Sequence, residues 1–409
     1  MSDNHEIIKR VSWTLFLVMI LAAGQQVILP GVDQVAAATV LKQPTFLSIL
    51  SSATGGRLNL PTLFSLGLSP YMTTMIVWSA VQSLDLKSIN SLSMKKAGLI
   101  QRVLVLVLAI VQAITMMRLY ASALQPLHLF GYPYDWGPWV TGLLLVAGAM
   151  LVTWLADVNS NRGIGSTAIM ILPGILLSTP NSLHQGWGDE VYSFSPEHLL
   201  TAAVVILLFT AAAVWLYKGE VRLPIQRTLL EGDYRNSYLP IKVLTAGAMP
   251  FMFSNSLFSL PKMIIQNTAL RWQPIGHTIL HWTSYKTVNG MVIYAVVIML
   301  LGYAFGYMNV RPVQTARQLK YAGDYFLNVV PGDDTESFIT NHFFLLCTIG
   351  NLVEILIGVI PLICGLIWPG VANYSLFLGN IFIVVTIFDN VIEQFRALYS
   401  KNRYRLLDL

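Results

Sequence analysis

Charge is what this sequence has least of. Only 11% of its 409 residues are Asp, Glu, Lys or Arg, against about 25% in a soluble domain. Such a chain cannot cover a water-facing surface, so lipid must be its main solvent. Cysteine is scarce too. Cys347 and Cys364 lie in apolar sequence, which excludes a disulfide framework or a CxxC motif and reads as packing. Three chemical signatures are missing: a G-x-x-x-x-G-K-[ST] phosphate loop, an HExxH helix and a G-x-S-x-G elbow. No ATP hydrolysis, no catalytic centre and no cofactor are expected. His277 and His281 have a metal-compatible spacing but no nearby acid or cysteine, and read as a surface pair in a short external segment. The positive charge is spread over loops without aromatic patches, which tells against nucleic-acid binding.

What is present is long apolar sequence. Hydrophobic residues make up 55% of the chain, and the mean hydropathy is +0.62. A bilayer core of about 30 Å needs about 20 apolar residues in a helix. Ten runs qualify or nearly do: Val11–Leu29, Leu66–Leu84, Val103–Met117, Trp139–Ala156, Ile164–Leu177, Leu199–Tyr217, Val243–Leu260, Met291–Met308, Phe343–Trp368 and Tyr374–Phe388. Arg102 and Arg118 bracket the third and extend it by snorkelling. Pro173 breaks the fifth. The first run has no small-residue cleavage site and reads as a retained span.

Basic residues orient these spans. With ten of them, one side holds only Lys42, Arg57, Arg118, Lys262, Arg271 and Lys286; every other Lys and Arg falls on the opposite side. By the positive-inside rule both termini face the cytoplasm. Five spans precede the loop at 181–196 and five follow, so the two halves, 1–190 and 191–409, run in opposite directions. That is the inverted-repeat plan of many transport proteins. A repeated element supports it. Gly67-Leu68-Ser69-Pro70-Tyr71-Met72 opens the second run, and Gly247-Ala248-Met249-Pro250-Phe251-Met252 lies in the seventh. Both read G-x-x-P-aromatic-Met, and Gly and Pro at matching places in two halves point to a central site. Between the first two spans, Gln43–Leu60 is too short to cross. It is either a re-entrant segment buried in protein or an external loop.

Few ionisable residues fall inside spans: Glu354 in the ninth, and Asp389 with Glu393 at the inner end of the tenth. Intramembrane acids are functional candidates. The structural alternative for Glu354 is a carboxyl bonded to Asn351 or to another helix.

Several short motifs resemble the SecY family of protein-conducting channels, in the family's own order. Leu66-Gly67-Leu68-Ser69-Pro70-Tyr71-Met72 resembles L-G-I-x-P-Y-I. Arg162-Gly163-Ile164-Gly165-Ser166 resembles R-G-I-G-N-G, and Arg222-Leu223-Pro224-Ile225-Gln226 resembles R-I-P-V-Q. Tyr238-Leu239-Pro240-Ile241-Lys242-Val243 resembles Y-L-P-L-K-V, Ala246-Gly247-Ala248-Met249-Pro250 resembles A-G-V-I-P, and Pro331-Gly332 matches a P-G in the eighth-to-ninth loop.

The resemblance implies an all-α membrane protein: ten transmembrane helices in two inverted five-helix halves around a central pore, with a re-entrant plug. On the family's pattern the pore ring is Leu68, Met72, Ile171, Ile175, Met252 and Phe382, with Val385 the alternative to Phe382. The plug is the segment of about 46–60, with Ser48, Ile49, Leu50, Gly55 and Gly56. A polar lateral gate comprises Gln112 and Thr115 on the third helix and Asn255 and Ser259 on the seventh. Cytoplasmic loops 218–242 and 309–337 dock a SecA-type ATPase motor through Arg222, Arg227, Arg235, Arg311, Arg317 and Lys320; the positive-inside bias explains the same cations equally well. A SecE-like small subunit, a secreted preprotein and the lipid bilayer complete the partners, in a bacterial plasma membrane.

Four departures separate the chain from the housekeeping pattern. The approach to the fifth helix, Gly163-Ile164-Gly165-Ser166-Thr167, is one residue shorter than G-I-G-N-G-x-S. Val330 replaces the family's Arg before P-G, which tells against the standard SecA interface. Ser79 stands where Gln is usual, and Asp333-Asp334-Thr335-Glu336 adds an acidic stretch. Together these resemble the accessory SecY of Gram-positive bacteria, which works with its own SecA and exports glycosylated serine-rich adhesins. A housekeeping SecY, an inverted-repeat secondary transporter and a non-transport scaffold are the competing readings.

Overall fold

Apolar runs dictate helices because every backbone N–H and C=O in lipid must be paired locally. The computed structural model describes residues 2–33, 62–83, 93–119, 121–126, 136–184, 196–227, 236–266, 274–368 and 370–401. In chain order the helices are α1 (Ser2–Gly24), α2 (Ser69–Ser83), α3 (Met94–Leu119), α4 (Gly137–Arg162), α5 (Leu172–His184), α6 (Pro196–Tyr217), α7 (Met249–Gln266), α8 (Pro274–Trp282), α9 (Val288–Val310), α10 (Pro312–Ala322), α11 (Asp333–Gly365) and α12 (Tyr374–Lys401). Each apolar run contains a helix, and six stretches among the described residues are long and apolar enough to cross a membrane. α2, α5 and α7 are shorter, at 15, 13 and 18 residues.

Three expectations change. The Ile164–Leu177 run is not one broken helix: a 3₁₀ turn at Ala168–Ile171 leads into α5. Pro173 falls in the first turn of α5, where a missing N–H costs nothing; Pro180 is the one inside it. His277 and His281, expected in a short external segment, lie on a helix, α8. The loops 218–242 and 309–337, expected on the cytoplasmic side, contain three strands.

These are β1 (Glu220–Gln226), β2 (Asn236–Lys242) and β3 (Tyr325–Phe326), in an antiparallel sheet of order β2-β1-β3. β1 and β2 are the R-L-P-I-Q and Y-L-P-I-K motifs lying against each other. Pro224 opposes Tyr238 and Pro240 opposes Arg222, so both prolines fall in the same class of pair. Lacking an N–H, they occupy the class that exchanges no ladder bonds.

The chain divides into two compact units, Met1–Asp189 with Ile387–Leu409, and Glu190–Thr386. The first is built around Leu66, Ala109, Ala113, Met116, Leu145 and Ala149, where small residues let α3 and α4 approach closely. In the second, α9 packs along α11. Gly302 lies against Asn351, Gly306 against Cys347 and Phe343, and Gly358 against Ile298 and Tyr294. The opposite face of α9 exposes Val288, Val292, Val296 and Leu300 at helical spacing, an apolar stripe suited to lipid. A separate core under the sheet joins Leu223, Ile225, Ile241, Ala316, Phe326, Ile339 and Leu346.

Candidate functional site: a repeated turn in each unit

The repeated G-x-x-P element folds the same way twice. Gly67 has φ +53° and Gly247 φ +63°, the left-handed region that glycine enters without a Cβ penalty. Each glycine N–H closes a tight turn, to Phe64 O at 2.9 Å and to Leu244 O at 3.1 Å. A helix starts two residues later, so Pro70 and Pro250 sit in the first turn, where proline is tolerated. The methionines then follow suit: Met72 N–H bonds Leu68 O at 2.9 Å, and Met252 N–H bonds Ala248 O at 3.3 Å.

The side chains anchoring the two turns differ. In the first unit the Tyr71 hydroxyl faces the Thr167 side chain. In the second, Phe251 packs edge-on against Phe382, ring centroids 5.6 Å apart, and abuts Gly379 and Gly358. Leu68, Ile171 and Ile175 are buried in the first unit, where Met72 is half-buried; Met252, Phe382 and Val385 are buried in the second.

The Arg162–Ser166 approach to α5 is held by a buried polar cluster. Ile164 N–H donates to Thr14 Oγ1 at 2.8 Å, and that hydroxyl donates to Asn159 Oδ1 at 2.8 Å. Asn159 Nδ2 donates to Ile164 O at 3.2 Å and Ser166 O at 2.6 Å. Gly165 N–H donates to Gln394 Oε1 of α12 at 2.8 Å. A Cβ on Gly163 would collide with Asn159 and Thr14. Ser166 takes a left-handed φ of +53°, so the shortened motif keeps a turn that most residues disfavour. Thr14, Asn159 and Gln394 carry no sequence signal, since their partners are remote in the chain.

The polar-seam residues are less uniform than expected. Gln112 is buried, and its Oε1 has no hydrogen-bond partner among the described residues. Thr115 bonds back to Val111 O of its own helix at 2.8 Å. Asn255 and Ser259 lie on α7, with side chains outside what is described. The plug residues Ser48, Ile49, Leu50, Gly55 and Gly56, and Arg235, lie outside the described residues.

Three of the candidate docking cations are engaged locally. Arg222 donates to Glu220 at 2.8 Å and lies 4.8 Å over the Tyr238 ring. The Glu220 hydrogen bond, with Tyr238 and the Glu220 charge adding to it, holds its guanidinium above the ordinary value. Arg227 faces Asp324 at 3.8 Å. Arg311 forms the α9–α10 corner at φ +46° and donates to Met308 O at 3.1 Å. Arg317 and Lys320 are exposed on α10. Beside them Val330 is 66% exposed, ahead of Gly332, whose φ of +131° starts α11. The acidic stretch has a local reason: Asp333, Asp334 and Glu336 occupy the first turn of α11, where the helix dipole favours negative charge.

Glu354 lacks the expected bond. It is 1% exposed, and neither carboxyl oxygen has a hydrogen-bond partner among the described residues. Asn351 donates instead to Met299 O of α9 at 3.4 Å. Among the described residues no three His, Cys, Asp or Glu cluster as metal ligands.

Residues 62–392 match the family model described as SecY. The accessory Sec system protein translocase subunit SecY2 of Leuconostoc gelidum subsp. gasicomitatum is 29% identical over 99% of this chain and 98% of that one. Its counterpart in Streptococcus parasanguinis is 30% identical over 98% and 97%. The protein translocase subunit SecY 1 of Lactobacillus kefiranofaciens subsp. kefiranofaciens is 28% identical over 98% and 96%. Among solved structures, "The structure of a protein conducting channel" superposes with a TM-score of 0.61 at 14% identity, over 98% of this chain and 95% of the other. The chain therefore belongs to the SecY family and has its fold: it is a multi-pass membrane protein of the protein-translocation channel class. The family is a conduit rather than a catalyst, and the first two of these relatives carry accessory Sec names.

Proposed function

We propose that this chain is the pore-forming subunit of an accessory Sec translocase in a bacterial plasma membrane. It passes unfolded glycosylated serine-rich adhesins, driven by an accessory SecA-type motor and braced by a SecE-like subunit. Ten spans in two halves, 1–190 and 191–409, put both termini in the cytoplasm. Leu68, Met72, Ile171, Ile175, Met252 and Phe382 seal the waist. An apolar constriction excludes ions by dewetting and makes no sequence-specific hydrogen bond, so an extended chain can slide through. Residues 46–60 plug the outer funnel, and Gln112, Thr115, Asn255 and Ser259 line the lateral gate. Arg317 and Lys320 are the cations best placed for the motor, with Arg222, Arg227, Arg235 and Arg311 around them.

The observation that carries the accessory reading is whole-length likeness to two accessory subunits. Val330 supports it, because an exposed aliphatic replaces a cation in the docking loop. The test is export in a strain deleted for this gene, complemented with native or Val330→Arg chain. Loss of surface adhesin with general secretion intact is expected on deletion, and a reduced yield with Val330→Arg. Loss of general secretion as well would assign the housekeeping role. Crosslinking a stalled preprotein to cysteines at 72 and 252 tests the ring; crosslinks at neither position would remove it.

A further inference from the structure

Among the described residues of the second unit, one buried acid, Glu354, has no hydrogen-bond partner. Glu354 lies within α11, on the stripe formed by Cys347, Gly350, Asn351 and Gly358, at helical spacing. Gly350, one turn before it, abuts the Val243 and Leu244 backbone; Gly358, one turn after, abuts Phe251, Ile298 and Tyr294. The carboxyl is therefore wedged behind the turn that carries Pro250 and Met252. Titratable groups facing this region are few. α11 contributes Cys347. α9 contributes Tyr294, whose hydroxyl is shared with Ser254 and Ser375, and α9 has no charged residue. The α12 residues of this unit carry none. The one lysine of α7, Lys262, lies about three turns beyond Phe251. Arg317 and Lys320 of α10 belong to the sheet end of α11.

An ionised carboxylate here would be a bare charge in hydrocarbon, which proteins avoid by pairing it or neutralising it. No pairing group is present among the described residues. We propose that Glu354 is an intramembrane proton-binding site, whose proton keeps the Gly247–Met252 turn packed against α11. Losing the proton would place an unpaired charge behind the residue assigned to the ring, so release accompanies entry of water into this unit. The inference does not rest on the channel reading, since neither readout below involves transport.

The test uses the full chain reconstituted in lipid. Infrared difference spectra of native against Glu354→Gln protein at pH 8 are expected to show the carbonyl band of a protonated carboxyl, absent from the variant. Carboxylate bands in its place would overturn the proposal. Should the variant fail to accumulate, dicyclohexylcarbodiimide on the native chain decides. The carboxyl adds across the reagent, its proton passes to a carbodiimide nitrogen, and rearrangement leaves a stable N-acylurea that peptide mass spectrometry locates. The Glu354 adduct is expected to change less than about twofold from pH 6 to 8, whereas a carboxyl ionised across that range loses about tenfold per pH unit. No adduct at Glu354, or a yield falling about tenfold per pH unit, would overturn it.

Discussion

The turn before α2 and the turn before α7 share a backbone and differ in what secures them. Both put glycine at positive φ, close on the residue three back, and admit proline in the first helical turn. The first sets the Tyr71 hydroxyl against the Thr167 side chain, the second wedges Phe251 against Phe382 and two glycines. A duplicated element therefore keeps its chain path, which depends on local sterics, while each copy finds its own side-chain anchor. A polar contact fixes direction. An aromatic wedge contributes more stability, because it removes far more area from solvent.

The largest expected effect tests that last point. Phe251→Ala removes the wedge and leaves a cavity, costing about 3–5 kcal/mol; folded yield in detergent should fall sharply. A loss no greater than that of Tyr71→Phe would erase the contrast between the anchors. Next, Asn159→Ala strips the buried cluster that holds the α5 approach, leaving the Thr14 hydroxyl and two carbonyls short of partners, at about 1–3 kcal/mol. Thermal unfolding measures it, and Thr14→Val should not add to it in full, because the two residues share one network. Gly247→Ala tests the common backbone. Its Cβ would meet only Thr386 Cγ2 at 3.8 Å, so the cost is conformational, about 1–2 kcal/mol. Gly67→Ala should carry at least the same penalty; an effect at only one position would break the equivalence of the turns. The smallest change is Tyr71→Phe, at most about 0.5–1.5 kcal/mol for one polar contact, read as a shift in the unfolding midpoint.

Much of the fold was legible because its causes are local. Apolar runs marked the helices of the expected spans, and the two matching G-x-x-P elements, read as a pointer to a central site, fold into the same glycine turn twice. The sheet was missed for the opposite reason. R-L-P-I-Q and Y-L-P-I-K each contain a proline, which argues against a strand until the partner is known and both prolines fall on non-bonded pairs. Of the candidate sites, the ring was an expectation drawn from the repeat and the family's order. The candidate docking cations look alike in sequence, and only the fold brings Glu220, Asp324 and Met308 O to Arg222, Arg227 and Arg311.

By itself the sequence determined that this protein lives in lipid, where its long apolar helices lie, and that one Gly-x-x-Pro element recurs in both halves. Those properties follow from hydropathy and backbone sterics over a few neighbouring residues. Only the tertiary structure decided which polar groups are satisfied. Thr14 and Asn159 meet across 145 residues of chain, and Glu354 meets no partner among the described residues despite Asn351 three positions away. Pairing depends on what folding brings alongside, and that is written in no single stretch of chain.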